Sequence, residues 1–116
     1  MNTDGNNQGW EVFEEETYTA SARKCGSAEY IDRITANVDY GLSRKPTGFL
    51  KVRGYESLYL AKTTLRIIGS EVIPSFRIWF RVDSKKRRVF KQHIEIAPPE
   101  DMGFADDPFD PDEIPF

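Results

Sequence analysis

Seven side chains between positions 62 and 93 have the types and spacing to handle an anionic partner. In FRIWFRV, residues 76 to 82, the period of two puts Arg77, Trp79 and Arg81 on one face of an extended strand. Phe76, Ile78, Phe80 and Val82 fall on the other. The first set surrounds an indole with guanidinium groups, and the second offers a core a row of large apolar groups. Upstream, Leu58, Leu60, Lys62, Thr64 and Arg66 share one side of a further alternating stretch; downstream, Lys91, His93 and Glu95 share one side of VFKQHIEI. Arginine and lysine hold oxyanions through charge-assisted hydrogen bonds. An unperturbed imidazole titrates near neutrality, so His93 has the chemistry to move a proton. The same charges also suit a solvated sheet face, and a lone strand histidine is often structural. With one Cys and one His in the chain, a zinc site from these ligands is not expected, and no cofactor motif is present.

The elements that must position these groups follow from pattern. Trp10 and Val12 alternate with Glu11, which predicts a short first strand over residues 9 to 14. Glu15 to Cys25 reads as a helix, with acids in its first turn and Arg23 and Lys24 in its last, as the helix dipole favours. Ser27 is the N-cap expected for a second helix, in which Ile31, Ile34, Val38 and Leu42 recur at spacings of three and four. Only Gly26 and Ser27 separate the two, so an antiparallel helical hairpin is expected. Pro46-Thr47-Gly48 ends it, and FLKVRG, residues 49 to 54, reads as an irregular basic connector. Residues 56 to 68 are expected as one strand with Tyr59, Ala61, Thr63, Leu65 and Ile67 toward the core. The hairpin of residues 75 to 96, turning through Asp83 to Arg88, completes the sheet, with Phe90, Gln92, Ile94 and Ile96 expected on the core side of its second strand. The fold class is therefore α+β, a helical hairpin on a small, mainly antiparallel sheet of about four strands.

The 116 residues suffice for one small core. Residues 9 to 97 form the expected domain, 1 to 8 read as disordered, and 98 to 116 as an acidic tail containing proline and phenylalanine that cannot fold alone. Apolar runs are too short for a membrane span, the N-terminal residues lack a secretory pattern, and the single Cys25 fits a reducing cytoplasm. The net charge of −3 hides a segregation: all 16 Lys and Arg lie between Arg23 and Lys91, while every charged residue after Lys91 is acidic. A basic body suits an anionic partner that the protein's own tail could imitate, with Phe104, Phe109, Ile114 and Phe116 as apolar anchors. A solubilising tail accounts for the same composition.

The order of elements, with WEVFEEE, GSAEYIDRITANVDYGL, LSRKPTGFLKVRG, SLYLAKT, FRIWFRVD and VFKQHIEI in sequence, resembles the RelE/ParE superfamily of toxins from bacterial toxin–antitoxin pairs. The resemblance covers about residues 9 to 96. It implies a cytoplasmic toxin with an antitoxin protein as partner. In the RNA-cleaving branch it implies metal-independent cleavage of messenger RNA on the ribosome, with no cofactor. Aligned with that branch, Lys62 and Arg77 take functional basic positions, Arg77 as the phosphate-binding arginine. The family's lysine two residues earlier falls on Leu60, its basic residue at the end of the last strand falls near Ala97, and its C-terminal tyrosine has no counterpart. His93 is the candidate substitute acid; Arg66, Arg81 and Lys91 are candidate RNA-binding residues, with Trp79 a candidate base-stacking ring. The ParE branch implies instead inhibition of DNA gyrase by binding alone, and a non-toxic binding module on the same fold is a third expectation.

Overall fold

The computed structural model describes residues 9–97. Both terminal segments discussed above lie outside the described residues. Two helices pack on a mixed five-stranded sheet, and a small two-stranded sheet stands beside it. In chain order the elements are β1 (Glu11–Glu14), α1 (Glu16–Cys25), α2 (Ala28–Arg44), a 3-10 turn (Pro46–Gly48), β2 (Leu50–Lys51), β3 (Leu58–Lys62), β4 (Arg66–Ile68), β5 (Glu71–Ile73), β6 (Phe76–Asp83) and β7 (Arg88–Ile96). The large sheet runs β1-β7-β6-β3-β2; β1 pairs with β7 in parallel, and the other neighbours are antiparallel.

The helices form where the sequence places their signals. Ser27 is the N-cap of α2, its Oγ accepting the Tyr30 backbone N–H at 3.2 Å. Ile31, Ile34, Val38 and Leu42 are all buried, so the expected stripe is the face that meets the sheet. They join Tyr18 of α1 and Phe76, Ile78, Phe80, Val89 and Ile94 of the sheet in one core. Helix α1 has a second task. Strand β1 stops at Glu14, opposite Lys91, leaving the rest of the β7 edge uncovered by a strand. There the Ile94 N–H donates to Ser21 Oγ at 3.0 Å, and Thr17 Oγ1 donates to the Gln92 carbonyl. Helix hydroxyls thus replace the missing strand, satisfying polar groups that would be costly to bury unpaired.

Three expectations are corrected. The sheet has five strands, because FLKVRG is not wholly irregular: Leu50 and Lys51 pair with Leu60 and Tyr59, and Val52 is fully buried. Residues 56 to 68 are not one strand. The chain leaves the sheet after Lys62, and β4 and β5 form their own hairpin through Gly69, whose φ of 62° is the left-handed conformation glycine tolerates. Leu65 and Ile67, expected in the core, are instead exposed. Finally, the alternation of β7 is broken. Trp79 pairs with His93, whereas Phe80 pairs with Lys91, so Gln92 is an extra residue in a β-bulge. Val89, Lys91 and Ile94 are consequently the buried residues of this strand.

Candidate functional site

The cross-strand register of β3, β6 and β7 assembles the face opposite the helices. Lys62, Arg77 and Glu95 form one row; Leu60, Trp79 and His93 the next; Leu58, Arg81 and Phe90 the third. Directly opposed residues on a sheet have Cβ atoms about 5 Å apart, so each row is a set of side-chain neighbours. Lys62, Arg77 and His93, separated by up to thirty-one positions in sequence, therefore lie within two adjacent rows.

Trp79 occupies the middle of this face and is fully buried. It packs with Val52, Leu58 and Leu60 in a second apolar cluster, flanked by Leu50. The ring does not present a face for base stacking, because the chain from β2 to β3 brings Val52 onto the same side of the sheet. Its role is to support its neighbours: the Arg77 guanidinium lies 5.1 Å from the indole centroid, and the His93 ring meets the indole edge-on at 5.6 Å. Both polar groups are thus oriented by one rigid aromatic surface.

Glu95, which sequence reasoning did not select, connects the two. Arg77 Nε donates to Glu95 Oε2 at 3.1 Å, and Nη2 donates to the same oxygen. The other carboxylate oxygen, Oε1, lies 3.5 Å from His93 Nε2. The Arg77 and His93 side chains are 9% and 19% exposed, against 27% for Glu95, so the charged cluster is largely withdrawn from water. The sequence did carry a signal for Glu95. It stands two residues from His93 on the same alternating strand, but its partner Arg77 is known only from the pairing of β6 with β7.

The remaining candidates divide. Arg81 is on this face, 4.4 Å over the Phe90 ring and 3.6 Å from Glu15. Arg66 belongs to the β4–β5 hairpin and is not part of the three rows. Lys91 is on the opposite face. The bulge turns it toward the helices, where Nζ lies 2.8 Å from Asp39, 3.3 Å from Glu14 and 3.5 Å from the Tyr18 hydroxyl. Burial pulls the Lys91 ammonium down, but Tyr18, Asp39 and Glu14 outweigh it and hold its pKa above the ordinary lysine value. Burial also raises the Tyr18 phenol, despite the opposing pull of Lys91. Lys91 therefore ties the sheet to both helices as a charged group and is corrected here from a surface to an interior position.

Among the described residues, no group of three or more His, Cys, Asp and Glu is placed to hold a metal ion. No helix among them is long and apolar enough to cross a membrane. No family model, curated protein or solved structure matches the chain.

Proposed function

We propose that this protein is a RelE-like toxin that cleaves RNA without a metal, using the face built by β3, β6 and β7. The observation that supports this reading is the register that puts Lys62 beside Arg77 and His93 one row away. Cleavage of this type needs three things at one phosphodiester. The ribose 2′-OH loses its proton as its oxygen bonds to phosphorus, the phosphorane oxygens gain charge, and the departing 5′ oxygen takes a proton as its bond to phosphorus breaks. Arg77 supplies bidentate stabilisation to the phosphate oxygens. His93 and Lys62 share the proton transfers. Arg81 extends the positive surface along the RNA backbone. An antitoxin covering this face would keep the protein inactive.

Purified protein should cleave RNA, with or without ribosomes, and Lys62→Ala and Arg77→Ala should each lose that activity. Wild-type rates in both variants would overturn the proposal. One observation favours a second reading, the ParE-like one: Arg77 is only 7% exposed and engaged by Glu95, as suits a binding face without chemistry. Under that reading the protein inhibits gyrase supercoiling and leaves RNA intact. Growth unaffected by induced expression, in a host without antitoxin, would support the non-toxic binding module instead.

A further inference from the structure

Glu95 divides its two oxygens between two groups of the site, one to Arg77 and one to His93. A carboxylate that engages the phosphate-binding arginine is also a competitor of the phosphate. The same carboxylate beside an imidazole fixes its orientation. The two effects act on different stages of a reaction, because the first opposes binding and the second assists proton transfer.

We propose that Glu95 is a positioning residue that changes partner. In the resting protein it neutralises Arg77, whose side chain is too withdrawn from water to stand uncompensated. When a phosphodiester takes the guanidinium, Glu95 is left to His93, toward which Oε1 is already directed. The incoming anion thus frees the carboxylate to orient the imidazole. This inference rests on the phosphodiester chemistry proposed above, and it adds a direction to it: Glu95 weakens substrate binding and strengthens turnover.

Among the described residues, charged groups approach His93 from several elements. Glu95 faces it from its own strand, Arg77 and Arg81 from β6, and Lys62 from β3 beyond Arg77. Glu15, at the junction of β1 and α1, approaches this face through its 3.6 Å contact with Arg81. Glu95 contacts the imidazole and the arginine at once.

The test uses the full chain and its Glu95→Gln variant, with Glu95→Asp as the conservative control. A 2′-deoxy oligonucleotide offers the phosphodiester without a nucleophile, so binding is read apart from cleavage. His93 is the chain's single histidine, so its ring resonances in NMR report its surroundings unambiguously. Glu95→Gln should bind the deoxy oligonucleotide about threefold to tenfold more tightly, because the competing charge is gone. The His93 ring resonances should shift, because the carboxylate oxygen 3.5 Å from Nε2 is replaced by a neutral amide. RNA cleavage should show kcat lowered by about tenfold or more, with KM also lowered. Glu95→Asp should bring the ring resonances part of the way back toward wild type. Unchanged or weaker binding together with unmoved ring resonances in Glu95→Gln overturns the partner exchange, whatever the wild type does to RNA. If the wild type leaves RNA intact while affinity and ring resonances both move as stated, the nuclease reading fails and the Glu95 exchange stands.

Discussion

Replacing Asp39 and replacing Lys91 should have unequal consequences for stability, although the two side chains are partners at 2.8 Å. The Lys91 side chain is 3% exposed, whereas Asp39 and Glu14 are 38% and 48% exposed. Asp39→Ala removes the nearer carboxylate and leaves an ammonium in the interior. Breaking a buried pair in this way typically costs about 3 to 5 kcal/mol. Glu14 remains at 3.3 Å and can move closer, so the expected loss is about 2 to 3 kcal/mol. Lys91→Met keeps the apolar stem against Tyr18 and leaves two carboxylates that water can reach, so its cost should lie within about 1 kcal/mol of zero. For a domain of this size 1 kcal/mol corresponds to roughly 4 to 8 °C in Tm, so Asp39→Ala should melt about 10 to 20 °C below the wild type. Lys91→Met should melt close to it, and the double variant should resemble Lys91→Met, because no buried charge remains to be stranded. Thermal and urea unfolding followed by circular dichroism measure all four proteins. Equal losses in the two single variants, or a wild-type Tm for Asp39→Ala, would refute the assignment of Lys91 as a charged interior tie.

Three further outcomes are expected. The pKa values of Lys91, Tyr18 and Cys25 are all raised in the folded chain, so at alkaline pH the folded state holds more protons than the unfolded one. Their stabilising contribution is complete below the unfolded values of 9.0 for Cys25, 10.0 for Tyr18 and 10.5 for Lys91, and is lost as pH rises through the folded ones. Urea midpoints should therefore decline above about pH 9, and less steeply in Tyr18→Phe. Trp79→Ala should cost about 3 to 5 kcal/mol by emptying the second apolar cluster, and a change below about 1 kcal/mol would contradict its burial. In Gly26→Ala the new Cβ would stand 2.6 Å from Tyr30 Cδ2, so the ring must move off its stack with Arg33. The expected cost, measured by urea unfolding, is about 1 kcal/mol.

What the sequence made readable was whatever depends on local period. The α2 stripe and the alternation of β6 are visible because neighbouring residues alone determine which face a side chain joins. The position of Lys91 was hidden because one extra residue in β7 reverses the alternation, and an extra residue is defined only against a partner strand. A hint was nevertheless present: Val89 and Ile94 are five residues apart, an odd spacing that cannot put both in the core of a regular strand. Residues 56 to 68 misled in a different way. Leu65 and Ile67 continue the alternation of Tyr59 and Ala61, yet the chain has by then left the sheet, and Gly69 was the sign of a turn. On the β3–β6–β7 face, Arg77 and His93 are readable as candidates from residue type and alternation. Burial of Trp79 was not, since it depends on Val52 arriving from a connector that reads as irregular.

The parallel pairing of β1 with β7 also sets the order in which the fold can assemble. Glu11 and Arg88 are partners across 77 positions, whereas β6 and β7 are joined by a short turn. Closing the longer loop costs more chain entropy, so the β6–β7 hairpin should form before β1 docks. Until then β7 is an open sheet edge, the kind of surface on which chains pair with one another and aggregate. The interior lysine lies on that edge, opposite the last residue of β1. A neighbouring chain adding a strand there in place of β1 would have to enclose its ammonium without the carboxylate that Glu14 brings. The residue that ties the finished fold together would thus also discourage the wrong strand from completing it.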